Sequence, residues 1–558
     1  MIESGTWEGL VIPRIQNEPR LNKPPLVYWC QAGMGWLFGE ARAAPSGDPQ
    51  GPRWGGSIWV YRLPSLFSAL IAVVATWRLG CALFDARAAW LGAVLLGCCP
   101  MVAWDARQAR ADQLLLAATV LSQWMLWAIW SHRDRAGRRR WRSILFWLAV
   151  AVGIMTKGPV TPMIVGMTVV FQSLAHREWR WIGQLRPLAG GLIIAAAVGP
   201  WIYLVGERVG WTTYLSTIAA ETVGRSLVVR EGHWGPPGYH LVLATVLFWP
   251  GSLLCAHALL EAWRRGVQLL PTGRSAPTQT SRSRLRWALR LLQSVGPGRD
   301  AELFCLAWIV PGWIAFEVAR TKLPHYTLPF YPAMALLTGR AVVAMVPGSL
   351  PAAERITLRL MLALWLGVGL VLGVVPAALW WNGGAGHAPW VSLWASTPLI
   401  VASLLFVAWR SFRAERLLHT MGAAIAALLI VYWSVFTLLP RLGWVWLSPG
   451  LVALMERADP NGTDPLAAVG YQEDSLVFLS RGRVQRIEGK DLDRWLDEHP
   501  DGLVVVPSAL LPTIARVRAL GEVEGLNYSR GAWQRLSLME ARRPRQLPNR
   551  QPLAPPAG

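Results

Sequence analysis

The sequence predicts an all-α polytopic membrane protein that carries a small α/β domain on the extracytoplasmic side at its C-terminal end. Three observations lead there. Apolar residues make up 53% of the 558-residue chain and charged residues 16%, against roughly 25% charged in an ordinary soluble domain. Long apolar runs recur between residues 57 and 439, most of them near the roughly 20 residues that cross a bilayer as a helix. After residue 448 the composition changes: that stretch holds 14 of the 33 acidic residues. The same composition excludes a disordered, collagenous or disulfide-scaffold chain.

In chain order, spans are expected at about 57–83, 87–104, 113–131, 144–158, 160–176, 188–206, 240–262, 303–319, 327–345, 360–381, 391–409 and 419–439, twelve in all. The runs at 144–158 and 160–176 are short for a hydrocarbon core of roughly 30 Å, and read as tilted pieces or as a helix pair closed by a shallow turn. The tail alternates strand-like runs (LAAVGY, SLVFLS, GLVVVP, WQRLSLME) with helix-like runs (KDLDRWLDEH, SALLPTIARVRAL), the pattern of a small α/β unit. The domain reading is a first outer loop over 1–56, a membrane domain over 57–440, an outer α/β domain over 441–540, and a Pro-rich, disordered end over 541–558.

Charge sets the orientation. The net charge is +21, which in a membrane protein reflects basic cytoplasmic loops and anionic headgroups rather than nucleic acid. One alternating set of loops (131–142, 176–186, 263–300 and 409–416, with Arg87, Arg355 and Arg359) holds 23 Lys or Arg, and the intervening set holds 8. The basic set is assigned to the cytoplasm, so residues 1–56 and the tail fall outside a plasma (inner) membrane. Cys30, Cys81, Cys98, Cys99, Cys255 and Cys305 form no CxxC pair and read as buried small hydrophobes, with no metal site and no disulfide framework.

The chain contains 50 Arg and only four Lys: Lys23, Lys157, Lys322 and Lys490. Three of the four lie in loops assigned outside, where a compact ammonium has a use that a guanidinium lacks. Those loops are NEPRLNKPPLVYW (17–29), DARQARADQLLL (105–116), MTKGPVTP (155–162), ETVGRSLVVREGHWGPPGYH (221–240) and ARTKLPHYTLP (319–329). Lys23 precedes two prolines, so its backbone is extended and stiff. Glu221 and Arg225 are four apart, on one face if helical. Singly, Lys23, Lys157, Lys322, Arg110 and Arg225 read equally well as snorkelling anchors or as functional cations. Together with Asp112 and Glu221 they point to a phosphate-binding cavity at the membrane surface, flanked by carboxylates. His233 reads either as a satisfied loop residue or as part of the site.

These residues carry a family resemblance. The run ESGTWEGLVIPRIQNEPRLNKPPLVYW resembles the first outer loop of polyprenyl-phosphate-sugar glycosyltransferases. This group (glycosyltransferase family 39-like, GT-C fold) contains the protein O-mannosyltransferases and the aminoarabinose transferase of lipid A. YRLPSLFSAL, ARADQLLLAA, GIMTKGPV and RTKLPHYTLPFYPAMALLTG match its later landmarks in order. The resemblance implies transfer, with inversion, of a sugar from a polyprenyl-phosphate donor to a lipid, glycan or protein acceptor on the outer face. Carried over by position, Lys23, Arg225, Tyr326 and Lys322 bind the donor phosphate, and Asp112 is the second acidic position. Arg110, Lys157, Glu221 and His233 support the site. No cofactor is assigned. A divalent metal stays open, although Asn22 stands where some relatives carry an acidic residue.

The resemblance also implies 13 spans, and a general-base Asp in an Asp-Glu-x-Arg-Tyr motif that precedes a run like MIESGTW. Here Met1 falls on that run. The expectation is a start displaced downstream of the first span and the base, the alternative being an inactive relative that binds polyprenyl phosphate. A transporter or flippase of lipid-linked sugars is the remaining alternative; it calls for charges at span centres and an internal repeat, neither of which is read.

Overall fold

The computed structural model of the chain describes residues 7–15, 18–21, 23–38, 57–133, 140–224, 234–266, 300–345, 352–383, 391–513, 517–527 and 531–541. The first outer segment contains α1 (Trp7–Val11), a two-residue hairpin of β1 (Arg14–Ile15) and β2 (Glu18–Pro19), and α2 (Leu26–Leu37). The membrane domain follows as α3 (Ile58–Leu83), α4 (Ala86–Cys98), α5 (Pro100–Asp105), α6 (Asp112–Trp130), α7 (Arg140–Lys157), α8 (Val160–His176), α9 (Pro187–Val209), α10 (Trp211–Ala219), α11 (Tyr239–Leu247), α12 (Ser252–Gly266), α13 (Asp300–Val318), α14 (Tyr331–Ala344), α15 (Ala352–Gly383), α16 (Val391–Arg413) and α17 (Leu417–Leu438).

Among the described residues seven helices are long and apolar enough to cross a membrane, with Ala86–Cys98 and Val160–His176 as shorter apolar helices. The other runs expected to span are broken or less apolar. The 240–262 run divides into α11 and α12 around Pro250, and the 327–345 run opens as a tight 3₁₀ turn, Pro324–Phe330, before α14. Proline removes a helical donor and clashes with the preceding turn, which explains both breaks. The short pair α7 and α8 forms a helical hairpin, joined by Gly158 at φ +62° and Pro159.

Close helix approach rests on small residues, as expected where lipid supplies no hydrophobic drive between helices. A Cβ added at Gly339 of α14 would lie 2.5 Å from the Ala88 carbonyl oxygen of α4, and one at Gly92 would lie 2.9 Å from the Ala335 carbonyl oxygen. Asp85 caps α4 by accepting from the backbone N–H groups of Arg87 and Ala88 at 2.9 and 3.0 Å. Inside the bundle, Thr119 and Thr161 share a hydrogen bond of 3.1 Å, and the Gln123 amide donates to Thr168 at 2.9 Å. All four side chains are fully buried, and they join α6 to α8.

The two ends of the bundle differ. At the end assigned to the cytoplasm, Arg133 pairs with Glu178 (3.0 Å) and Asp300 (3.6 Å) and lies over the Trp130 ring at 3.9 Å. The opposite end collects the lysines.

The tail begins with α18 (Leu447–Ala458) and forms a five-stranded sheet in the order β4-β3-β5-β7-β6, from β3 (Leu466–Val469), β4 (Val484–Ile487), β5 (Leu503–Pro507), β6 (Val517–Asn527) and β7 (Ala532–Ala541). β3 is parallel to β4 and β5, and β7 is antiparallel to β5 and β6. Two tail expectations are corrected. SLVFLS belongs to a helix, α19 (Asp474–Leu479), because parallel β3 and β4 need a crossover. RVRAL enters β6, because pairing with β7 outweighs its helix propensity. The crossover to β5 is α20 (Leu492–Glu498), whose Trp495 is buried against the sheet. Residues 542–558 lie outside the described residues.

Candidate active site

The site is assembled at the lysine end by four segments distant in sequence. Asp112 is the first residue of α6 and is buried. Lys157 is the last residue of α7, and its amine donates to Asp112 Oδ1 at 2.5 Å. The Gly158 turn makes this possible: its left-handed backbone reverses the chain directly after Lys157 and leaves the amine at the helix end. His325, in the 3₁₀ turn before α14, brings Nε2 to 3.8 Å from the same carboxylate oxygen. Its neighbour Tyr326 presents its ring 5.6 Å below the Lys157 amine. Burial pushes His325 down to about 3, against the pull of Asp112 and with help from the Lys157, Arg110 and Lys23 charges, so the imidazole is neutral.

Lys23 is the fourth contribution. Burial, then the neighbouring Lys157 charge, pushes its amine down to about 8, with Asp112 opposing. Its loop is fixed from both sides. Upstream, Trp201 and Trp29 donate to the Val11 and Leu10 carbonyls at 3.0 and 2.8 Å. Downstream, Pro24 and Pro25 lead into α2.

A second carboxylate, Asp105, ends α5 and is completely buried. Gln113 donates to its Oδ2 at 3.0 Å, Arg110 stands 3.9 Å from Oδ1, and Oδ1 accepts no hydrogen bond among the described residues. Burial, reinforced by the Asp112 charge, pushes its pKa up to about 7. The Arg110 backbone is held by Ser65 of α3, whose hydroxyl donates to its carbonyl at 3.0 Å.

Of the residues singled out from the sequence, Lys23, Asp112, Lys157, Arg110 and Tyr326 are brought together. Lys322 is not: it is buried, and its amine donates to the Pro236 carbonyl at 2.9 Å and to Glu317 at 3.3 Å. Glu317 also accepts from the backbone N–H groups of Gly238 and His240, so this pair clamps the 234–240 segment onto α13. Glu221 sits in a π-helical turn, Ala220–Gly224. Arg225 and His233 lie outside the described residues. Asp105 and His325 were not assigned roles from the sequence; both stand inside the loops quoted there, and that is the one signal the sequence offered. Among the described residues no group of three or more His, Cys, Asp or Glu side chains is placed to hold a metal ion.

Residues 54–204 match the family model described as dolichyl-phosphate-mannose-protein mannosyltransferase. The chain is 25% identical over 499 residues to the undecaprenyl phosphate-alpha-4-amino-4-deoxy-L-arabinose arabinosyl transferase of Edwardsiella ictaluri, covering 88% of this chain and 78% of that protein. The enzyme of the same name from Erwinia tasmaniensis is 24% identical over 60% of this chain and 52% of its own length. The crystal structure of ArnT from Cupriavidus metallidurans bound to undecaprenyl phosphate superimposes with a TM-score of 0.65 at 21% identity, covering 97% of this chain and 91% of that one. The resemblance holds in sequence and in fold. The chain is similar to GT-C glycosyltransferases of the polyprenyl-phosphate-sugar type. Its matches to several curated relatives span about half of their length, whereas the structural likeness runs nearly end to end.

Proposed function

We propose that the protein is an integral membrane glycosyltransferase that moves a sugar, with inversion, from a polyprenyl-phosphate donor to a lipid acceptor, at the extracytoplasmic face of a bacterial-type inner membrane. The observation that carries this is the convergence of Lys23, Asp112, Lys157 and Tyr326 from four distant segments at one end of the bundle. In this reading a first outer loop, a membrane domain of twelve passes and an outer α/β domain bring their site-bearing parts to the same side.

The chemistry needs little beyond cations. The leaving group is already a phosphate, so the site must hold developing negative charge rather than create a leaving group. The Lys23 amine and the Tyr326 hydroxyl contact that phosphate, and Arg225, carried over from the family resemblance, adds a bidentate partner. Asp112 is fixed in direction by the Lys157 amine, with the His325 ring beside it, and is suited to orienting the attacking group of the acceptor. Lys322, committed to Glu317, supports the wall of the site rather than the phosphate.

The test is binding of polyprenyl phosphate to the purified chain. Lys23→Ala should weaken it by about 2–5 kcal/mol, the cost of truncating one partner of a buried charge pair, with thermal stability retained. Unchanged affinity would remove the phosphate role from this loop.

A further inference from the structure

Among the described residues, an ion pair joins the tail domain to the loop that carries Lys23. Arg20 closes the β1–β2 hairpin, its backbone N–H donating to the Pro13 carbonyl at 2.7 Å, and its guanidinium donates to Asp474 Oδ2 at 2.7 Å. The other oxygen of Asp474 accepts from Arg486 of β4 at 2.8 Å. Asp474 opens α19, and on the same helix Phe478 meets the Tyr61 ring of α3 edge-on at 5.4 Å. Tyr61 lies one turn before Ser65, the residue that holds the Arg110 backbone. One short helix of the tail thus reaches both walls of the site, the Lys23 loop and α3.

Arg20 is three residues from Lys23, at most about 10 Å of extended chain, and two prolines stiffen the other side of Lys23. An ion pair this exposed contributes roughly 0–1 kcal/mol to stability, too little to hold a domain in place. Its effect is geometric: it fixes the end of the short connection that carries the Lys23 amine. We propose that Asp474 of the tail domain is a positioning residue, which sets the place of Lys23 in the donor-phosphate site through Arg20. This rests on the reading of Lys23 as a phosphate ligand. Around Lys23 stand Lys157, Asp112, Arg20 and Arg110; a Lys23 released from that setting regains solvent and titrates nearer the ordinary lysine range.

The experiment measures undecaprenyl phosphate binding to the full purified chain in nanodiscs between about pH 6 and 10. The variants are Asp474→Asn, Asp474→Glu, Arg20→Gln and Lys23→Ala. Asp474→Asn and Arg20→Gln should each weaken binding by about two- to fivefold, the most that an ion pair of this strength can shift, and move its alkaline fall upward, while Asp474→Glu binds like the parent. If Asp474→Asn and Arg20→Gln bind like the parent, or bind weakly with the alkaline fall unmoved, the positioning role is overturned. Should one of them fail to fold, the other decides. Lys23→Ala separates the two readings: if it too binds like the parent, the phosphate role of Lys23 fails, and not only the positioning of it.

Discussion

Two lysine–carboxylate pairs lie at the same end of the bundle, and they have opposite characters. Lys322 and Glu317 form a closed unit: the amine has Pro236 and Glu317, and the carboxylate has Lys322 and the N–H groups of Gly238 and His240. Lys157 and Asp112 form an open one. Asp112 has Lys157, with a neutral imidazole beside it, while Lys23 and Arg110 crowd the same space and, among the described residues, Asp105 keeps an oxygen without a donor. Both lysines look alike in sequence, each in an outer loop at the end of an apolar run. The difference is saturation. A pair whose donors and acceptors are all used holds structure, whereas a cluster with surplus cation and an unused acceptor is prepared for a charged partner.

This contrast is broken most severely at Asp112. Asp112→Asn should lower sugar transfer by about 100-fold or more, the scale of losing a positioned charged group, while undecaprenyl phosphate affinity stays within about threefold. A loss of both would make Asp112 part of the phosphate site. Glu317→Ala should do the reverse. It leaves Lys322 buried beside unsatisfied N–H groups and should cost about 3–5 kcal/mol of stability, read as a lowered midpoint of thermal or denaturant unfolding. A stable but inactive Glu317→Ala would assign the closed pair a part in the chemistry.

How much of this was legible depends on what fixes each residue. The apolar runs located the helices because burial in lipid is written into composition, and Lys157 and Asp112 stood out as charges at the ends of those runs. Periodicity cannot say which of Lys322, His325 and Tyr326 turns toward Asp112, because a 3₁₀ turn built on Pro324 decides it. Asp105 was hidden for a similar reason: its partner Gln113 meets it only because the chain folds back between α5 and α6. In the tail, local propensity misread SLVFLS and RVRAL because strand partners far along the chain chose their state.

The open cluster should also respond to pH. Lys23 is depressed to about 8, so its ammonium is present below that value and lost as pH rises through it; donor binding should fall above about pH 8 in step. Lys23→Arg should abolish that fall, since arginine stays charged throughout. A fall retained in Lys23→Arg would place the titrating group elsewhere. The smallest effect is expected at the turn that delivers Lys157. Gly158→Ala puts a Cβ on a backbone at φ +62° and should cost about 1 kcal/mol, measured as a small drop in melting temperature with transfer reduced but present.

The buried bonds between α6 and α8 have a consequence for how the bundle is built. Lipid tails are as apolar as leucine, so greasy contact gives a helix no reason to prefer one neighbour over another during membrane insertion. Thr119 with Thr161, and Gln123 with Thr168, supply that reason. They also fix the register: sliding α8 by one turn, about 5.4 Å, would separate both pairs at once and leave four polar side chains facing hydrocarbon. The pairing that seats Lys157 beside Asp112 is therefore selected several turns deeper in the membrane, by side chains that never meet a substrate.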